Sequence, residues 1–354
     1  MRPQSESTEE LPRRLEIGRD PKGIERDLEG KNLDIQYLLW LQDFRNNIGD
    51  AWTPFMEWVS MFATNYVILI PIFLYWYWDK RKGLYALVSY YFCMVVTPIA
   101  KLTVCTYRPW IRDSRVIPAG NSIATATGYS FPSGHASTCG PLAGGVAVNL
   151  WEDKRTRWLS VILAFFVLLT GFSRNYLGVH TPQDVFVGIA LSILSLIVTA
   201  KLFCYLDAHP EKEDWILLGS FLFCCAALAY ITLKPYPMDM NSEGKLIVDP
   251  QKMMNDGYGD LGKAMGFILG RYIEKKWIRF QPSRRGWPTA VLCLLGMIPV
   301  VMLKSALRPV MTQAFGAHWG KLAFSVIHAL YYIALVPLVL KLIGIWMAKQ
   351  EEAA

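Results

Sequence analysis

"VFVGIALSILSLIVTAKLFCYL", residues 185–206, decides the fold. A helix that crosses a membrane needs about 20 mostly apolar residues. This run meets that length with one charged residue, Lys201. Similar runs lie on both sides of it: Val59–Trp78, Leu84–Ala100, Trp158–Gly171, Trp215–Leu233, Thr289–Leu303 and Leu322–Met347. Two more, Ala136–Leu150 and Leu261–Tyr272, are short or glycine-rich and can span only inside a bundle. The expected fold is all-α, a polytopic transmembrane helix bundle of about nine spans.

Composition agrees. Of 354 residues, 53% are hydrophobic and 18% are charged, whereas charged residues approach a quarter of a soluble domain. The net charge of +7 is modest. No basic stripe lies in a soluble domain, so nucleic acid is not expected as a partner. The seven cysteines fall mostly inside apolar runs and lack the spacing of a metal site. Buried thiols are the expected state.

The chain divides into a polar tail with an amphipathic segment, Ile35–Phe44, over residues 1–50, and a transmembrane core over 51–234. A loop over 235–260 and C-terminal helices over 261–354 follow. The tail has no apolar h-region, so no cleavable signal peptide is expected. The amphipathic segment is expected on the membrane surface.

Basic residues gather in three short loops: Lys80, Arg81 and Lys82; Lys154, Arg155 and Arg157; Lys275, Lys276, Arg279, Arg284 and Arg285. If Leu261–Tyr272 crosses, all three lie on one face, which the positive-inside rule makes cytoplasmic. Gly262, Gly266 and Gly270 recur every four residues there, a smooth face for close helix packing.

Three polar islands then share the opposite face. The first is "KLTVCTYRP", with Lys101 and Arg108. The second is "PSGH", with Ser133, Gly134 and His135. The third is "SRNYLGVHTPQD", with Arg174, His180 and Asp184. Three cations form a site for a di-anion, and arginine can grip two oxygens at once. Ser133 and Gly134 precede a helix. The plain role there is an N-cap, and the same helix start suits a phosphate. Glycine lets an oxyanion approach the backbone.

Two histidines on the same face supply what phosphoryl transfer needs: one ring to attack phosphorus, the other to protonate the leaving oxygen. "TPQD" reads as a capped helix start, with Thr181 as N-cap. Asp184 can also accept a hydrogen bond from His180 and fix its tautomer. No metal is implied, because the histidines lie far apart in sequence and carboxylates near the islands are few; no cofactor is expected, and the three cations can do the charge work of a metal.

Lys-x6-Arg-Pro, Pro-Ser-Gly-His and Ser-Arg-x5-His-x3-Asp, in that order, resemble the signature of the type 2 phosphatidic acid phosphatase superfamily. That superfamily includes lipid phosphate phosphatases, glucose-6-phosphatase and the vanadium haloperoxidases. The resemblance covers about residues 84–206. In layout the chain is most similar to the glucose-6-phosphatase and sphingoid-base-phosphate phosphatase branches, with a six-helix-type core and extra C-terminal spans.

The resemblance implies roles. His180 is the nucleophile that forms a phosphohistidine, Asp184 orients it, and His135 is the general acid and then the base. Lys101, Arg108, Ser133, the Gly134 backbone and Arg174 hold the phosphoryl oxygens. The site faces away from the cytosol, toward the periplasm, exterior or lumen, in the plasma membrane or endoplasmic reticulum.

The expected activity is metal-independent hydrolysis of a phosphorylated lipid, a monoester or pyrophosphate, among membrane lipids. One alternative is a small phosphate ester as substrate, a phosphosugar as in glucose-6-phosphatase. Another is a catalytically idle transporter or scaffold with the same fold.

Overall fold

The computed structural model describes residues 32–126, 128–282 and 286–353. Most of the polar tail, and Arg284 and Arg285 of the third basic loop, lie outside the described residues. Among the described residues every regular element is a helix, with no strand.

The chain opens with α1 (Leu33–Ile48), α2 (Thr53–Asn65) and α3 (Leu69–Phe73), the last running on as a π-turn over Leu74–Trp78. α4 (Lys80–Val104) leads to two short turns, α5 (Pro109–Arg112) and α6 (Ser122–Thr125). Then come α7 (Gly134–Leu150), α8 (Arg157–Tyr176), α9 (Pro182–Ala208) and α10 (Glu213–Leu233). α11 (Pro250–Ile273), α12 (Gly286–Phe315), α13 (Ala317–Leu330) and α14 (Val336–Ala353) complete the bundle.

Seven stretches are long and apolar enough to cross a membrane, by length and composition: Thr53–Trp78, Lys80–Arg112, Arg157–Tyr176, Pro182–Ala208, Pro210–Leu233, Gly286–Phe315 and Ala317–Gln350. The two doubtful runs of the expected nine form α7 and α11. α7 has 17 residues, about 26 Å of helix. It packs against α4, α8 and α9 at the centre of the first half. Small residues let it sit that close. A side chain at Gly145 would strike the Ala86 backbone at 2.8 Å, and one at Gly188 of α9 would strike the Ser133 carbonyl at 2.8 Å.

α11 starts well before its apolar run, because Asp249 caps it by accepting from the Gln251 N–H at 2.9 Å. Its glycine face packs on α13 as expected. A Cβ at Gly262 would lie 2.7 Å from the Leu322 carbonyl, and one at Gly266 would lie 2.5 Å from the Val326 carbonyl.

α1 lays one stripe on protein. Ile35 and Leu38 are buried with Val116, and Leu41 with Tyr176 and Leu177. Arg45, itself buried, donates to the carbonyls of Tyr176 and Ile117, both at 2.9 Å. An amphipathic pattern specifies an apolar stripe but not its partner. Here that partner is protein, while Leu33, Trp40 and Phe44 stay exposed.

The basic loops meet at one end of the bundle. Lys82 Nζ donates to the Asn149 carbonyl at 3.2 Å. Lys80 Nζ bonds Glu274 at 2.6 Å and the Phe280 carbonyl at 2.7 Å. The other end carries the polar islands.

Candidate active site

Three segments deliver the site. α4 ends at Cys105, whose left-handed backbone (φ 53°) closes the helix through its N–H to the Lys101 carbonyl at 3.1 Å. A non-glycine residue seldom adopts that conformation. It breaks the helix between Lys101 and Arg108 and turns Arg108 inward. There the guanidinium is buried: Nε donates to the Gly128 carbonyl at 3.0 Å, and Nη1 donates to the Val179 carbonyl at 2.9 Å. Nη1 also lies 2.8 Å from His180 Nε2.

α9 starts with a complete capping box. The Asp184 N–H donates to Thr181 Oγ1 at 3.3 Å, and the Thr181 N–H donates to Asp184 Oδ2 at 2.9 Å. The same Oδ2 lies 3.3 Å from His180 Nδ1. Capping and orientation are therefore one arrangement, because i and i+4 positions at a helix start face each other.

His180 is buried. Burial, then the positive charges of Arg108, Lys101 and Arg174, hold its pKa well below the ordinary histidine value. A neutral imidazole with Nδ1–H toward Asp184 carries its lone pair on Nε2.

At the start of α7, Ser133 occupies the N-cap position, yet no side chain caps the helix. Its N–H donates to the Asp184 carbonyl at 2.9 Å, and its buried Oγ has no partner. The space over Gly134 is open, since an added Cβ there would meet nothing within 4 Å. His135 follows in the first turn, within electrostatic range of Arg174, His180, Arg108 and Lys101. The expected residues thus converge from parts of the chain up to 83 positions apart (184 − 101).

Arg174 is the most telling. It is 1% exposed. Nη1 donates to Ser60 Oγ at 2.5 Å, while Nε and Nη2 are buried without a partner. Buried guanidinium donors left unmet are costly. Together with Ser133 Oγ they form a set of donors suited to an anion.

Lys101 stands differently from the other cations. Its ammonium donates to the carbonyls of Tyr129 (3.0 Å), Ser130 (3.2 Å) and Pro132 (2.9 Å). An ammonium has three hydrogens, and each has a carbonyl in reach. Lys101 holds the loop before α7 in shape and adds its charge from there.

Sequence reasoning missed Ser130, Ser60 and Asn175. Ser130 Oγ donates to Asp184 Oδ2 at 2.5 Å and lies 3.4 Å from His180 Nδ1. Asn175 Nδ2 donates to the His180 carbonyl at 2.8 Å. Asn175 adjoins Arg174 and Ser130 precedes the proline turn, so proximity to the islands was an available signal. Ser60 lies 114 residues from its partner and had none. Among the described residues, no group of three His, Cys, Asp or Glu could hold a metal ion.

The profile of the PAP2 superfamily matches residues 82–207, which are α4 through α9. Lipid A 4'-phosphatase of Bacteroides thetaiotaomicron is 27% identical over 170 residues, 44% of this chain and 71% of that protein. Undecaprenyl-diphosphatase BcrC of Bacillus subtilis is 32% identical over 143 residues, 38% of this chain and 69% of that protein. Phosphatidylglycerophosphatase B of Bacillus subtilis is 26% identical over 140 residues, 38% of this chain and 64% of that protein. No solved structure matches significantly.

Proposed function

Because the chain belongs to the PAP2 superfamily, we propose that it is an integral membrane phosphatase that hydrolyses a lipid phosphate ester or pyrophosphate through a phosphohistidine on His180. The observation that carries this reading is the set of buried, unmet donors on Arg174 and Ser133, in the same site as a histidine kept neutral. The names of these three relatives denote phosphatases of lipids, which favours a lipid over a sugar phosphate.

The phosphoryl oxygens take hydrogen bonds from Arg174 Nε and Nη2, Ser133 Oγ and the start of α7. Arg108 gives its Nη1 hydrogen to an oxygen and releases the His180 Nε2 lone pair. Nε2 attacks phosphorus, the P–O bond to the leaving group breaks, and His135, which takes up a proton once the phosphate's negative charge offsets the cations around it, gives that oxygen its proton. Asp184 and Ser130 hold Nδ1 as the charge on the ring grows. Neutral His135 then takes a proton from water, whose oxygen attacks phosphorus. The P–N bond breaks, its electron pair returns to Nε2, and phosphate leaves. The cations carry the charge that a metal carries elsewhere.

The site faces away from the cytosol in this reading. The support is that the basic loops gather at the other end of the bundle, which the positive-inside rule assigns to the cytoplasm.

The test is phosphate release by the purified chain in detergent and chelator, across phosphatidic acid, a sphingoid-base phosphate, an isoprenyl pyrophosphate and glucose 6-phosphate. Release from a lipid substrate, abolished in His180→Ala, is the expected outcome. Release from glucose 6-phosphate alone refutes the lipid reading, and full turnover of His180→Ala refutes the nucleophile.

A further inference from the structure

α9 and α10 are joined by only residues 209–212. Helices so connected ordinarily pack against each other. Here α9 packs on α4 and α7, and α10 packs mainly on α11. A cleft of about 990 Å³ separates them, floored by α4 and α11. Its walls include Val88, Phe92, Leu202, Phe223 and Phe267.

One end of the cleft is ionic. Arg81 donates to both carboxylate oxygens of Asp207 at 2.6 Å, and the two side chains are 58% and 54% exposed. Beside them, Lys80 pairs with Glu274, and Arg271 pairs with Glu213 and Glu274.

We infer that this cleft binds one membrane phospholipid with a zwitterionic headgroup, at the end of the bundle opposite the active site. Dimensions favour a lipid. Along α4 the cleft runs from Arg81 to Val96, about 22 Å of helix. That is most of a hydrocarbon core about 30 Å thick. A polar rim at the boundary above an apolar trough fits one headgroup and its chains.

The rim selects the headgroup. It offers an exposed cation and an exposed anion side by side, which suit the phosphate and the ammonium of one zwitterion. The charged lining is balanced, Lys80, Arg81 and Arg271 against Asp79, Asp207 and Glu213, so a net-neutral headgroup matches it better than an anionic one. The site is separate from the phosphatase centre. Asp207 follows Asp184 by 23 residues of α9, about 35 Å along the axis.

Gly219 lines the cleft, and an added Cβ there would meet nothing within 4 Å. Gly219→Trp therefore fills the cleft without pressing on backbone, and Gly219→Ala leaves it open. The full chain is purified, stripped of lipid, incubated with phosphatidylcholine or phosphatidylglycerol, and weighed intact by native mass spectrometry.

Wild type and Gly219→Ala are expected to keep one phosphatidylcholine per chain. Gly219→Trp should keep it at least about tenfold less well, and phosphatidylglycerol should be held less well by all three. Equal retention by wild type and Gly219→Trp overturns the site, and equal retention of the two lipids overturns the headgroup. A second measurement needs no variant. Photoreactive phosphatidylcholine should label α9 and α10 at the cleft, and labelling confined to other helices overturns the proposal.

Discussion

The Ser130 hydroxyl donates to Asp184 Oδ2 at 2.5 Å, and that same oxygen faces His180 Nδ1 at 3.3 Å. A carboxylate buried between a hydroxyl, a backbone N–H and an imidazole has little freedom to rotate. Ser130→Ala removes one restraint and leaves the others, so kcat should fall about tenfold with KM nearly unchanged. Asp184→Asn removes the acceptor that sets the tautomer, and a loss of about a thousandfold or more is expected. Steady-state phosphate release measures both, and an unchanged kcat in Ser130→Ala refutes the positioning role.

Arg174 tests the anion site. Arg174→Gln should lower kcat/KM by roughly a hundredfold to a thousandfold, as for other donors aimed at transition-state charge. Arg174→Lys should recover little, because an ammonium cannot present the planar fork. Vanadate, which adopts a trigonal bipyramid like the phosphoryl transition state, should inhibit the wild type and lose potency in both variants. Equal vanadate sensitivity in all three proteins would place the anion elsewhere.

The depressed pKa of His180 sets a pH dependence. An ordinary histidine becomes protonated below about 6.5. Buried His180 stays neutral there, so kcat/KM, corrected for substrate ionisation, should not fall between about pH 7.5 and about pH 6. Stability moves the other way. Below about pH 6.5 the unfolded chain takes up a proton at this residue and the folded chain does not, so acid destabilises the fold. A kcat/KM that falls with a midpoint near the ordinary histidine value would contradict the burial.

Packing of α11 on α13 depends on Gly266, whose Cβ position lies 2.5 Å from the Val326 carbonyl. Backbone cannot step aside as a flexible side chain can. Gly266→Val should therefore destabilise the protein by about 1–3 kcal/mol, while Gly219→Ala, which faces open space, should not. Thermal unfolding in detergent compares them. Equal midpoints would mean the helices are not held at this distance.

Much of the fold was legible because a bilayer imposes length and apolarity on one stretch at a time. Residues 185–206 needed no neighbour to be read. The glycine period at 262, 266 and 270 announced close packing, and its partner α13 appeared only in three dimensions. α1 shows the limit. Its apolar stripe was visible, but whether lipid or protein covers it depends on where Val116 and Tyr176 come to lie.

The site divides in the same way. His135, His180, Asp184, Arg108 and Arg174 stood out because ionisable groups beside apolar runs are costly and rare. Lys101 stood out for the same reason, yet its three hydrogens go to loop carbonyls, and no sequence pattern distinguishes a cation that binds a ligand from one that braces a turn.

By itself the sequence determined the helices, the order of the islands and the residue types expected of an anion site, since these follow from local length, polarity and spacing. Only the tertiary structure decided which donors of Arg174 and Ser133 remain unmet, that Ser130 joins Asp184 to His180, and that α9 and α10 part to leave a cleft. Each of these depends on distances between segments far apart in the chain, and hydrogen-bond satisfaction is settled at distances under about 3.5 Å.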